Sequence, residues 1–433
     1  MIQLSQMRYL FLAFLIIGVF IIPWTAITFP ETAASLATLL KDAGDQFAAV
    51  ILNHKPVSVS DLKTGYQTAS IPGNPKVRIL VVPGHEPDFG GAEYGNVKER
   101  HLTVELAQDL VAFLKSDDRF EIFMTRNDKD WEPTFKDYFV NDWNDILEWT
   151  QANKADIQRL ARLGEFRPVS SSVFHNNVPG PVAARLYGID KWANDNEIDI
   201  VIHVHFNDYP RSNSQIAGKY NGFSIYVPEK QYYNSQTTKA VAETVYKRLS
   251  KYNPPSDLPG EKDGIIEDQD LIAVGSFNTV DAASMLIEYS YIYEPQVTNE
   301  DVRPIFLKEL AYETYLGLTD FFDPVRASEL AKAYDTLTIP YHWTDHITGK
   351  NDAPNDVFAL QTALMIHGDY PPKGSTLQDC PRTGKVGGCT KTALRSFKQA
   401  YDIKDEDEVA GEQTLGKLND LFSSDLGVAP GDL

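Results

Sequence analysis

The chain has 433 residues, 43% hydrophobic and 23% charged, proportions ordinary for globular protein and a length ample for two domains with connecting segments. Its 60 acidic residues against 40 basic ones give a formal charge of −20, which argues against a general nucleic-acid binder, because phosphate contact relies on Lys and Arg. The same balance offers no basic patch for anionic polymers, so such a ligand would be held by shape, hydrogen bonds and aromatic stacking.

At the amino end, Tyr9 to Pro30 carries no charged residue; Arg8 precedes it and Trp24 lies near its far end. This pattern predicts a transmembrane helix within residues 1–30, read as an uncleaved anchor with a cytoplasmic N-terminus. A cleaved signal peptide is the alternative, and either one exports the remainder. Residues 31–75 read as a juxtamembrane helix, Ala33 to Val50, followed by a tether rich in Pro, Ser, Thr and Gly.

Val77, Ile79, Leu80, Val81 and Val82 form an apolar run that ends at the Pro83-Gly84 turn, so His85 falls just beyond a strand end. A glycine-rich loop follows, and Glu99 opens an amphipathic helix that continues through Val104 to Leu114. Glu121 to Met124 reads as a strand. Residues 128–184 then form an acidic, aromatic stretch, and two readings of it stay open, a lid over a cleft or a surface subdomain. Ile198 to Asp208 is β-branched and alternating, a strand whose His203 and His205 share a face. Phe223 to Val227 is a strand and Thr238 to Leu249 a helix. The apolar run Ser284 to Ile287 delivers Glu288 to a strand end, where a carboxylate is costly unless it is paired, metal-bound or catalytic. Ile305 to Phe322 is the last helix of this region. The alternation predicts an α/β domain over residues 76–323, a twisted, mostly parallel or mixed sheet flanked by helices.

Four of these features, in this order, carry a resemblance: PGH at Pro83-Gly84-His85, Glu99, HFN at His205-Phe206-Asn207, and Glu288. They resemble the zinc-dependent N-acetylmuramoyl-L-alanine amidases of family 3, with Met124-Thr125-Arg126 and the segment from Arg185 to Asn194 as further landmarks. The resemblance implies that His85, Glu99 and His205 bind Zn2+, leaving a position open for water. It implies that Glu288 moves the proton of that water to the leaving amine. The implied substrate is peptidoglycan, cut between N-acetylmuramic acid and L-alanine, in wall turnover or cell separation. The chain departs from the family pattern at Val82, at Glu86-Pro87 and at Tyr289-Ser290-Tyr291, which alters the cleft walls but none of the four residues.

Each residue has an ordinary explanation. His85 alone would be a turn histidine, Glu99 a helix-start carboxylate, and Glu288 half of an ion pair. His203 competes with His205, which is preferred because HxN matches the family. His342 and His346 have helical ligand spacing, but Trp343 stands where the zincin motif needs Glu, and the pair reads as structural. His101 is expected to face solvent.

Residues 324–352 read as a linker. Residues 353–422 resemble the small three-helix peptidoglycan-binding domain of wall hydrolases, through Leu360-Gln361, Leu364, Gly368, Thr392 to Phe397, Gly411, Thr414 and Leu418. Cys380 and Cys389, the only cysteines, flank the loop PRTGKVGG; a disulfide there suits an oxidising compartment, with two free thiols as the alternative. Residues 423–433 read as a tail. The expected location is extracytoplasmic, anchored in the membrane and facing the wall, or secreted if the leader is cleaved. Two rivals stay open: a zinc peptidase acting on stem peptides, and a non-catalytic wall-binding or regulatory protein.

Overall fold

The structure, a computed structural model, describes residues 55–175, 177–211, 213–277, 279–333 and 335–423. The expected anchor, juxtamembrane helix and tail lie outside the described residues. Among the described residues no helix is long and apolar enough to cross a membrane.

The stretch expected to be a tether instead holds a helix, α1 (Val59–Thr68), opened by a capping box in which Ser58 and Asp61 each accept from the other's backbone. Its Leu62 and Tyr66 are buried in the main core. After it come β1 (Val77–Pro83), the short hairpin β2 (Glu93–Tyr94) and β3 (Val97–Lys98), α2 (Glu99–Lys115) and β4 (Phe120–Met124). The acidic aromatic stretch folds as α3 (Pro133–Asn141) and α4 (Trp143–Leu163), and α5 (Gly180–Asp195) follows. Then come β5 (Ile200–Asn207), β6 (Ser224–Pro228), α6 (Ser235–Tyr252), β7 (Ile265–Asp268), β8 (Ala283–Tyr291), the single turn α7 (Pro295–Thr298) and α8 (Arg303–Phe322).

Six strands form one sheet in the order β4-β1-β5-β8-β6-β7. All neighbours run parallel except β6 and β8, so the sheet is mixed. Strand alternation sorts its two faces. Val77, Ile79 and Val81, Ile200, Ile202 and Val204, and Met285 and Ile287 pack with α2, α6 and α8 in the main core. Leu80, Val82 and Val201 face the other way, against Phe135 and Phe139 of α3, Ile146 of α4 and Trp192 of α5. His203, His205 and Glu288 alternate with the first set and so share this second face.

Beyond α8, α9 (Pro324–Ala333) leads into a three-helix module of α10 (Pro354–His367), α11 (Gly388–Ala400) and α12 (Glu412–Phe422) with its own core. That core begins earlier than expected, because Trp343 and Ile347 of the presumed linker are buried in it. The Trp343 indole donates to Asp356 O at 2.9 Å. A disulfide joins Cys380 to Cys389, with Cα atoms 5.9 Å apart. The module docks on α8 through buried Arg382, which pairs with Glu309, donates to Thr362 Oγ1 at 2.8 Å and lies over the rings of Tyr252 and Phe358.

Candidate metal centre and cleft

Parallel β1 and β5 bring the Pro83-Gly84-His85 turn beside His205, and α2 presents Glu99 from its first position. His85 Nε2 lies 2.7 Å from Glu99 Oε1, and His205 Nδ1 lies 3.1 Å from the same oxygen. The three ligand atoms all fall within 4.8 Å of one another. Zinc bonds of about 2.1 Å in tetrahedral geometry put ligand atoms about 3.4 Å apart, so a shared ion would spread these contacts by only a few tenths of an ångström. His85 Nε2 is also buried without a hydrogen bond of proper geometry, an orphan that a metal would satisfy. Two imidazoles and a carboxylate are a donor set suited to catalytic zinc.

The surroundings fix each of the three residues. Glu99 Oε2 accepts from Ala92 N at 2.8 Å, and Oε1 from Phe206 N at 3.1 Å. Burial would raise its carboxyl, but the charges and hydrogen bonds of His85 and His205 outweigh this and hold it well below the ordinary value. Gly84 is required by a close approach: a Cβ there would sit 2.4 Å from Cε1 of the His205 ring. His85 has a left-handed backbone, φ 70°, a conformation that costs a non-glycine residue roughly 1–3 kcal/mol and collects at functional sites.

The two family landmarks serve this turn. Arg126, fully buried, donates to Pro83 O at 3.2 Å, to Gly84 O and to Thr103 Oγ1 at 3.1 Å. Burial lowers its guanidinium to about 10. Arg185 donates to Glu86 Oε1 at 2.8 Å, steadying the residue after His85. Asn194 bridges Thr279 O at 2.7 Å and Asp281 N at 2.8 Å, fixing the entry to β8.

Glu288 pairs in register with His205 on the adjacent strand. It lies inside β8, which runs on to Tyr291, and not at a strand end as expected. The continuation, Tyr289-Ser290-Tyr291, is buried, and the pairing with β5 resumes at Asn207 and Tyr291 after a register shift. Glu288 Oε2 is buried without a partner, and burial followed by the charges of Glu99 and Glu261 pushes the carboxyl well above its ordinary value. Glu261 was not legible as a site residue. It is fully buried and accepts from Asn207 Nδ2 at 2.9 Å, Tyr226 OH at 2.6 Å and Tyr291 OH at 3.2 Å.

His203 does not join the three. It is buried, its Nε2 has no partner, and burial first and His205 second lower its imidazole to about 3. It lines the same cleft as an uncharged ring. His342 and His346 are exposed on either side of buried Trp343 and outside any helix, and His101 is exposed beside Asp128.

A cavity of about 900 Å³ opens in front of His85, His203 and His205. Its opposite wall comes from the stretch 128–184: Lys154, Ile157 and Gln158 of α4, then residues between Phe166 and His175 with Asn177 and Val178. That last segment is tied to the far strands, Val169 N donating to Gln269 Oε1 at 2.9 Å and His175 Nε2 lying 2.9 Å from Asp268 Oδ2.

A sequence profile of N-acetylmuramoyl-L-alanine amidase matches residues 79–320. No curated protein sequence matches the chain. Among solved structures, the chain is similar to an N-acetylmuramoyl-L-alanine amidase from Clostridium difficile 630, with 16% identity over 58% of this chain and 98% of that one, and a TM-score of 0.36. It is also similar to the CwlD amidase from Clostridioides difficile in complex with the GerS lipoprotein (13% identity, 57% and 100% coverage, TM-score 0.38). A third is the amidase Ami1 from Mycobacterium smegmatis (13% identity, 58% and 100% coverage, TM-score 0.37).

Proposed function

The chain belongs to the N-acetylmuramoyl-L-alanine amidase family, and from that premise we propose zinc-dependent hydrolysis of the amide between N-acetylmuramic acid and L-alanine in peptidoglycan. The observation that carries the reading is the convergence of His85, Glu99 and His205 at one end of an open cavity, with Glu288 beside them in register. These three residues would hold the ion, which when bound supplies Lewis acidity to the scissile carbonyl and acidifies a water. Glu288 takes a proton from the attacking water and returns it to the departing alanine nitrogen; its raised affinity for protons suits that carrier role. The buried Glu99 carboxylate, held by two backbone N–H groups, keeps both imidazoles aimed. Arg126 fixes the turn, so that attack geometry is set before substrate arrives.

The same reading assigns the remaining parts. The N-terminal apolar segment would tether the enzyme outside the cytoplasm, the C-terminal module would hold it on the wall, and the reaction would serve wall turnover or daughter-cell separation. The Cys380–Cys389 disulfide accords with an oxidising location.

The test is to incubate the zinc-loaded protein with purified peptidoglycan and identify released products by mass spectrometry. Free stem peptides beginning with L-alanine, beside intact glycan chains, are expected, and chelation should abolish their release. Shortened stems would replace the amidase reading with a peptidase. No product from a protein with verified metal content would favour a wall-binding protein.

A further inference from the structure

Lys154 projects from α4 into the wall of the cavity that also holds His85 and His205. Its ammonium sits 4.6 Å from the centre of the Tyr187 ring and 5.2 Å from that of Phe277, a box of two aromatic faces. Phe277 holds its place with a left-handed backbone, φ 58°, so strain is spent on that side of the box. Burial alone lowers the Lys154 ammonium; no carboxylate among the described residues raises it. Asp270, which also lines the cavity, instead accepts from Ser171 N at 3.4 Å. In a chain of net charge −20, a half-buried lysine in a cleft without an acidic partner is a strong local exception. Aromatic faces hold the cation in position without neutralising it, which leaves its charge free for an anionic ligand.

We propose that Lys154 sets substrate selectivity by binding a free carboxylate of the stem peptide while the scissile amide lies at the His85–Glu99–His205 end of the cavity. This rests on the amidase reading for the identity of the peptide. The aromatic box carries the assignment: Tyr187 and Phe277 fix where the charge sits, so carboxylate position along the stem is read, not net charge alone. Arginine would keep the function and a neutral side chain would lose it. A stem whose carboxylates are amidated would be a poor ligand.

The test separates binding from turnover. In the zinc-loaded Glu288→Ala protein, where a ligand would persist, calorimetry compares N-acetylmuramoyl-L-alanyl-D-glutamate with its bis-carboxamide. The carboxylate form should bind at least about tenfold more tightly, as expected for a hydrogen bond to a charged group. Adding Lys154→Met should erase that preference, and Lys154→Arg should retain most of it, with melting temperatures unchanged in both. In the protein that keeps Glu288, Lys154→Met should raise KM for the carboxylate substrate by a similar factor and leave kcat alone. Equal binding of the two ligands, weak or tight, or a preference that survives Lys154→Met, overturns the proposal. If neither compound is hydrolysed, yet the preference exists and depends on Lys154, the amidase reading fails and the carboxylate site stands.

Discussion

The two walls of the cleft are built by opposite means. On the sheet side, His85, Glu99 and His205 are fixed by polar contacts: backbone N–H groups on Glu99, Arg126 on the Pro83 and Gly84 carbonyls, and Arg185 on Glu86. On the opposite side, α3 and α4 are seated by apolar packing, with Phe135, Phe139 and Ile146 on Leu80, Val82 and Val201, and only the segment after α4 is tied by polar bonds. Polar fixing demands particular residue types at particular spacings, whereas apolar packing demands only volume. The first wall can therefore be recognised from a few letters of sequence, and the second tolerates change while still shaping what enters. Within residues 128–184, Phe135, Phe139 and Ile146 cover Leu80, Val82 and Val201 on one face of the sheet.

The sharpest way to break the polar wall is Gly84→Ala. The new methyl would lie 2.4 Å from a ring atom of His205, and both backbones there are held. Displacing a ligand by about an ångström should cost at least about 100-fold in turnover. Zinc content, measured by mass spectrometry on the folded protein, should fall in parallel. Full activity with normal metal content would mean that the His205 ring does not need its place against Gly84. Arg126→Met comes next. It leaves the Pro83 and Gly84 carbonyls without their guanidinium donor, so zinc affinity and turnover should drop roughly 10–100-fold, the range for outer residues that orient ligands. Unchanged zinc affinity in that variant would remove Arg126 from the positioning role.

The contrast between walls explains what could be read from sequence. The strand–helix alternation and the convergence of His85, Glu99 and His205 were legible because buried strands and metal-donor chemistry each restrict residue type. From sequence Glu288 reads as closing its strand, since Tyr289-Ser290-Tyr291 looks like a break in apolar character. In the structure those residues are buried, Tyr289 OH sharing a hydrogen bond with Thr314 Oγ1 at 2.9 Å and Ser290 Oγ donating to Glu294 at 2.8 Å. Helix α1 was missed because only Leu62 and Tyr66 of its residues are buried, too few for a period to stand out. The S-x-x-D of Ser58 and Asp61 was the available signal. Glu261 sits in an irregular stretch between α6 and β7, where no spacing marks it. The start of the C-terminal module was hidden for a similar reason: Trp343 is a single anchor without periodic neighbours.

The apolar wall invites a test with the smallest effect on chemistry. Gly188 of α5 lets α3 and α4 approach closely: a Cβ there would lie 2.9 Å from Ile146 Cδ1 and 3.1 Å from Phe139 Cε1. Ile146→Ala should destabilise the protein by about 2–5 kcal/mol through lost burial and a residual cavity. Gly188→Ala gains about 1 kcal/mol of helix propensity and loses roughly 1–3 kcal/mol to overpacking. Together the two changes should cost less than their sum, with a coupling of about 1 kcal/mol, because the new methyl enters the space that Ile146 vacates. Turnover per folded molecule should stay within about twofold of the parent, since a Cβ on Gly188 meets Ile146 and Phe139 and not His85, Glu99, His205 or Glu288. Denaturant unfolding of the four proteins of the cycle measures the coupling. Strict additivity would show that α5 does not meet α3 and α4 at Gly188 as described. A turnover loss that tracks the stability loss would show that the apolar wall sets the polar one.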